Sequence, residues 1–292
     1  MPPKITFVVL HYLAIKETID CVMSIEHNIC YGNFYVVIVD NGSNKEQDIN
    51  SLRALESTFS NLKLIVSEEN VGFASGNNIG FQYAKKVLHS DFIVCLNNDT
   101  IVSQSDFCNI IVAKYQMHQY AVLGPKIITK DGRCDSNPIK PSNYTTKALF
   151  RYLFVLCVLY LTTFINIDLS VQAFLEKIRK KVNESNKFIE YTTDVVDLKL
   201  HGACLIFSPR YINQFEGLNP NTFLYMEEDI LYVQLKKNGL VSLYSPDLEI
   251  YHLEDAATNL TVNKKIAKRR FIYKNHIKSI RVLLKEIENY EC

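Results

Sequence analysis

Tryptophan is absent from this chain, and glycine is scarce, at 10 of 292 residues. Eight cysteines (Cys21, Cys30, Cys95, Cys108, Cys134, Cys157, Cys204, Cys292) form no Cys-x-x-Cys pair and no regular spacing. That excludes a cysteine-built zinc or thioredoxin-type site and points to reduced core residues of a cytoplasmic protein. No sign of charge dominates, with 32 basic against 31 acidic side chains, so a coat of nucleic acid is excluded as a partner. The opening apolar run, Ile5–Leu10, is too short for a secretory signal. No G-x-G-x-x-G follows it, which disfavours dinucleotide binding. There is no internal repeat and no low-complexity segment.

At 48% hydrophobic and 22% charged, the chain has a globular composition and the length of one large domain or two small ones. Short β-rich runs at Ile5–Leu10, Phe34–Val39, Leu62–Val66, Phe92–Leu96 and Ala121–Ile128 read as strands covered on both faces. Helical spacing follows from Ile15, over Ser75–Leu88 and over Phe107–Met117. Such alternation predicts an α/β, doubly wound, mostly parallel sheet flanked by helices, whose ligands sit at the carboxyl ends of strands. Beyond residue 130 the pattern becomes mixed, with strands near 195–200 and 203–207, a helix near 227–237 and short strands near 240–251. The division expected is a first half over 1–130, an insertion over 131–192, a second half over 193–255 and a basic helix over 256–292.

Three polar clusters lie just past strand ends: His11-Tyr12, Asp40-Asn41-Gly42-Ser43 and Asn97-Asn98-Asp99. Asp-Asn-Gly and Asn-Asn-Asp are also good turns, but several such clusters at adjacent carboxyl ends outweigh that reading. A hard cation such as Mg²⁺ or Mn²⁺ takes oxygen ligands, and needs only one or two carboxylates when phosphates supply the rest. Asp40 could accept a hydrogen bond from a pyrimidine N–H or a ribose hydroxyl. The Gly/Asn loop Asn70–Asn78 opens a helix, whose N–H groups could face an anion. Glu227-Glu228-Asp229 follows an aromatic run at another helix start. The helix dipole favours acids there, and one of the three could be a general base, raised in pKa by its neighbours.

In their order, these segments resemble the inverting, nucleotide-sugar-dependent family 2 glycosyltransferases of the GT-A fold, especially the bacterial rhamnosyltransferase-like branch. The resemblance rests on Val8–Tyr12 with Glu17-Thr18, Val39–Ser43, Glu69–Gly80, Leu96–Thr100, Gly202–Leu205 and Phe223–Leu231 with Asn238-Gly239. It implies that His11, Tyr12, Glu17 and Asp40 line the base and ribose. Asn70, Gly72, Asn77 and Asn78 would border the nucleotide and its diphosphate or sugar, with Asn97 and Asn98 beside them. It puts Asp99 on a divalent cation (Mg²⁺ or Mn²⁺), with His252 as a further contact, and makes Glu228 the base, with Glu227 and Asp229 as fallbacks. Its implied partners are a nucleotide-diphospho-sugar donor and a glycan or polyprenyl-diphosphate-linked acceptor, in cell-surface polysaccharide synthesis. The family's Asp-x-Asp begins here with Asn97, which weakens the metal expectation. The missing tryptophan excludes the processive-synthase motif, so one sugar per encounter is expected. Two rivals stay open: a sugar-nucleotide nucleotidyltransferase, and a non-catalytic binding relic. The first would carry a Gly-rich basic signature where His11–Ala14 stands.

The insertion contains sixteen uncharged residues, Tyr152–Ile167. An amphipathic basic stretch follows, with Val171, Phe174, Leu175, Ile178 and Val182 on one stripe. Residues 263–285 hold nine basic side chains and no acid. A buried core hairpin or helix, an in-plane element on an anionic membrane and a true span all remain open; a span needs about 20 residues. The in-plane reading expects a peripheral protein at the inner face of the membrane. Oligomeric state is not legible.

Overall fold

A computed structural model describes residues 1–139, 144–182, 191–253 and 265–291. Four parallel strands build its first half: β1 (Ile5–His11), β2 (Phe34–Asp40), β3 (Leu62–Val66) and β4 (Phe92–Asn97). Between them run α1 (Ile15–Asn28), α2 (Glu46–Thr58) and α3 (Phe73–Lys86). The two-residue β5 (Thr100–Ile101), α4 (Phe107–His118) and β6 (Val122–Thr129) follow. After the insertion come β7 (Val195–Val196), β8 (Cys204–Phe207), α7 (Pro209–Ile212), α8 (Glu227–Lys237), β9 (Ser242–His252) and a long α9 (Lys265–Glu291). The insertion itself is α5 (Thr146–Thr162), a 3-10 turn (Thr163–Ile165) and α6 (Asp168–Val182).

Among the described residues all nine strands share one sheet, in the order β3-β2-β1-β4-β8-β6-β9-β5, with β7 also on β9. The parallel half is as the sequence predicts. Past β4 the sheet is mixed, because β8 runs antiparallel to both β4 and β6. In place of several short strands near 240–251 there is one long strand, β9 (Ser242–His252). Its register against β6 jumps between Pro125 and Lys126, so β9 pairs first with β7 and then with β5. Helix α2 was not read from the sequence, since only Leu52 along it is a fully buried apolar residue.

Strand residues alternate between two cores. Ile5, Phe7 and Val9 meet α1 and α4 on one face, while Val8 meets α3 on the other, in a core that also takes in α7. A third core joins α5, α8 and α9. Helix α8 belongs to two cores: Leu231 and Leu235 face the sheet, and Ile230 and Val233 face α5 and α9. Its N-terminal acids therefore stand where the sheet meets the helical layer.

Cys21, Cys95, Cys108 and Cys204 are buried, and burial pushes the Cys21 and Cys108 thiols up to about 12. The side chains of Ile178 and Val182 on the amphipathic stripe, and those at the start of the basic run (263–265), lie outside the described residues.

Candidate active site at the carboxyl edge of the sheet

Register assembles the first part of the site. His11 pairs with Asp40 across β1 and β2, and Leu10 pairs with Asn97 across β1 and β4. His11, Asp40 and the Asn97-Asn98-Asp99 turn thus emerge side by side at one edge. His11 Nδ1 lies 2.7 Å from Thr18 Oγ1. The Thr18 hydroxyl donates its one proton to Ala14 O (2.9 Å) and accepts from Asn98 Nδ2 (2.9 Å). Only its second lone pair remains for His11, so Nδ1 carries the imidazole proton and Nε2 is a bare acceptor. Burial lowers the His11 pKa despite the Asp40 carboxylate, so the ring is neutral at pH 7. Nε2 faces Asp40 Oδ1 at 4.0 Å, and Asp40 Oδ1 accepts from Ser43 N. His11 Nε2 and Asp40 Oδ2 are both buried without a partner. Two acceptors left bare at one spot call for a hydrogen-bond donor.

Asp99 and His252 form a second group. Strand β5 pairs Thr100 with His252, and His252 Nε2 lies 3.2 Å from Asp99 Oδ1. The His201 ring packs edge-on against His252 at 5.8 Å between centroids. Among the described residues no three His, Cys, Asp or Glu side chains group closely enough to hold a metal by themselves. Asp99 and His252, both mostly buried, with His252 Nδ1 unpartnered, suit a cation whose other ligands come from phosphate oxygens.

The three acids at the start of α8 have three different occupations. Glu227 is buried, and burial, then the Glu228 charge, raises its pKa to about 7; its Oε1 has no partner. Asp229 accepts from Tyr144 OH at 2.7 Å and from Lys199 Nζ at 2.9 Å, which ties the insertion and the β7–β8 connection to α8. Glu228 is half-buried, and its Oε1 accepts from Gly202 N at 3.1 Å. Gly202 is followed, just before β8, by Ala203, whose O accepts from Asn97 N at 3.0 Å. Glu228 is thereby linked through this backbone to the end of β4. A Cβ on Gly202 would stand 2.7 Å from Glu228 Oε1.

The loop before these acids is strained. Tyr225 (φ 73°) and Met226 (φ 68°) are consecutive left-handed residues, a conformation that costs a non-glycine residue about 1–2 kcal/mol. Packing from distant helices holds them there. Tyr225 stacks on His276 of α9, with rings 4.2 Å apart and 6° from parallel. Ser279 Oγ donates to Leu224 O at 2.9 Å, and Phe271 meets Phe223 edge-on. From the other side, Phe73 N donates to Phe223 O at 2.8 Å. Gly72, at φ 89°, permits that approach, since a Cβ there would lie 2.4 Å from Phe223 O.

The remaining sequence candidates have other partners. Asn78 grips one residue at both ends, donating to Leu218 O (2.8 Å) and accepting from Leu218 N (2.7 Å). Asn70 Oδ1 accepts from Gly72 N and Asn41 Nδ2. Both amides brace loops. Asn77 is buried and donates to Phe73 O, with its Oδ1 bare. Tyr12 and Glu17 are half-exposed beside the His11–Thr18 group. Sequence reasoning assigned no role to Thr18, Lys199, His201, Gly202, His276 or Ser279. Only Thr18 and Gly202 lay within segments it had singled out.

Residues 6–167 match the family model described as Glycosyl transferase family 2. A curated relative, the low-salt glycan biosynthesis hexosyltransferase Agl10 of Haloferax volcanii, is 27% identical over 195 residues, 66% of this chain. The alignment spans half the length of that relative, 50%. The crystal structure of S. aureus TarS 1-349 in complex with UDP superposes with a TM-score of 0.55 at 13% identity, over 91% of this chain and 68% of that one. GalNAc-T7 with UDP, GalNAc and Mn²⁺ gives 0.60 at 13% identity, over 99% and 55%. Likeness at such identity concerns the fold alone.

Proposed function

The chain belongs to glycosyl transferase family 2 and has the GT-A fold, and from that premise we propose that it moves one sugar from a nucleotide-diphospho-sugar to an acceptor hydroxyl with inversion. The observation that carries the reading is the meeting, at one sheet edge, of the bare acceptors on His11 and Asp40, the Asp99–His252 pair and Glu228. His11 and Asp40 take an N–H or hydroxyl of the nucleoside. The relatives solved with UDP make uracil N–H a fitting partner. Asp99 and His252 would hold a divalent cation, which when bound neutralises charge developing on the departing diphosphate.

Glu228 is the base in this reading. Asp229 is committed to Lys199 and Tyr144, and Glu227 is buried, whereas Glu228 has one oxygen on a backbone N–H and the other without a partner among the described residues. It takes the proton of the acceptor hydroxyl as that oxygen attacks the anomeric carbon. The bond to the diphosphate breaks on the opposite face, which inverts the centre. A positioned base contributes about 10²–10⁴-fold, and alignment of donor and acceptor supplies much of the rest. A glycan or polyprenyl-diphosphate-linked acceptor at the inner face of a membrane fits the relative's glycan-biosynthesis role. Nucleotide release from a panel of nucleoside-diphospho-sugars, with and without Mn²⁺, tests the proposal. Release from at least one donor is expected. Absence of release, with nucleotide and pyrophosphate exchange in its place, would indicate a nucleotidyltransferase.

A further inference from the structure

The insertion presents an unusual surface. Thr146–Ile165 is long and apolar enough to cross a membrane, and only 22% of its apolar 18-residue window is buried. Phe150, Phe154, Leu161, Phe164, Ile165 and, on α6, Phe174 are each 52–69% exposed. An apolar face of this extent is unfavourable in water and marks a contact surface. Its charge pattern says what kind. Residues 144–182 contain six basic and two acidic side chains, and one of those acids, Asp168, is consumed by Arg269. Lys147 and Arg151, one helical turn apart, line a shallow depression of about 480 Å³ together with Phe150, Phe154 and Val155. Neither cation has an ion-pair partner among the described residues. Aromatic rings beside unpaired cations match the boundary between acyl chains and anionic headgroups.

The same contacts favour the membrane plane over a span. The opposite face of α5 is sealed: Leu149, Leu156 and Leu159 pack with Ile280, Leu283 and Leu284 of α9. Arg270 donates to Thr163 O and Oγ1 (3.1 and 3.0 Å), and its guanidinium covers one side of Phe164 at 4.3 Å. Inserting α5 across a bilayer would break that layer, whereas lying in the plane leaves it intact.

We propose that the α5–α6 hairpin docks in the plane of an anionic lipid surface, with Phe150, Phe154, Phe164 and Phe174 among the acyl chains and Lys147 and Arg151 at the headgroup phosphates. The proposal deepens the transferase reading by naming the surface from which a lipid-linked acceptor would be taken. Helix α9, which carries the hairpin, also braces Tyr225 and Leu224 before the acids, so docking holds the acid loop close to the membrane.

Flotation of the full chain with vesicles of phosphatidylglycerol and phosphatidylcholine, mixed about 3:7, tests this at low ionic strength. Wild-type protein is expected to float. Phe154→Asp with Phe164→Asp is expected to cut partitioning at least about tenfold. Lys147→Glu with Arg151→Glu is expected to cut it on these vesicles while leaving any weak binding to pure phosphatidylcholine unchanged. All are surface positions, and circular dichroism checks folding. The idea is overturned if wild-type protein does not float, or if the Phe154/Phe164 variant floats as well as wild type. It is equally overturned if those substitutions instead split a dimer, which would make a second copy the occupant. No sugar donor enters the assay, so its outcome is independent of the transferase reading.

Discussion

The two sides of the site are held in contrasting ways. His11, Asp40 and Asn98 stand at the ends of neighbouring strands, where backbone register fixes them and one hydroxyl, Thr18, locks the imidazole. Glu227, Glu228 and Asp229 stand behind two left-handed residues, held by the backbone at the start of α3 and by side chains from α9 and the insertion. The sheet side is a property of local sequence and strand pairing. The acid side is a property of packing between parts of the chain up to about two hundred residues apart, such as Gly72 and Ser279. Substitutions far from the chemistry should therefore disturb the acids and spare the nucleoside side.

Gly72→Ala is expected to do most damage. It strains a left-handed position and drives a methyl into the Phe223 carbonyl, at a cost of order 3 kcal/mol, read as a shifted urea midpoint. Asp229→Asn weakens a mostly buried pair with Lys199. A loss of about 2 kcal/mol is expected, with transfer falling through misplacement of α8 and nucleotide affinity unchanged.

Glu227 sharpens the comparison through pH. Its pKa is raised from 4.5 to about 7 in the fold, so the native state holds the proton more tightly than the unfolded chain. The stability this contributes is complete below about pH 4.5 and is lost as pH rises through about 7, by about 3 kcal/mol in all. Glu227→Gln should flatten that slope in chemical denaturation between pH 5 and 8. The smallest effect expected is that of His276→Ala, which removes the stack under Tyr225. It should cost about 1 kcal/mol and lower kcat more than it changes nucleotide affinity.

Much of the sheet was legible because buried strands announce themselves as apolar runs. Carboxyl-end turns were legible because Asp-Asn-Gly and Asn-Asn-Asp close those runs. Helix α2 was not, since its polar sequence buries little beyond Leu52. At the site, Glu17 was singled out for a role while its neighbour Thr18 makes the contacts. Which of two adjacent residues turns inward depends on where α1 starts, just after Ala14. Asn70 and Asn78 read as ligand-facing because amides in a Gly-rich loop suit an anion, yet their bonds close on other loops. The roles of His276 and Ser279 left no local signal, since they depend on how α9 folds back. In the sequence the uncharged run starts at Tyr152. The helix starts at Thr146, capped by Thr145, and so includes Lys147 and Arg151.

One paired measurement tests the division most directly: UDP affinity by calorimetry alongside sugar-transfer rate, for Asp40→Asn and Glu228→Gln. The account predicts that Asp40→Asn weakens UDP binding about tenfold or more. Glu228→Gln should keep wild-type UDP affinity and lose about 10²–10⁴-fold in kcat. Near wild-type transfer by Glu228→Gln would contradict the account, and so would its loss of UDP binding.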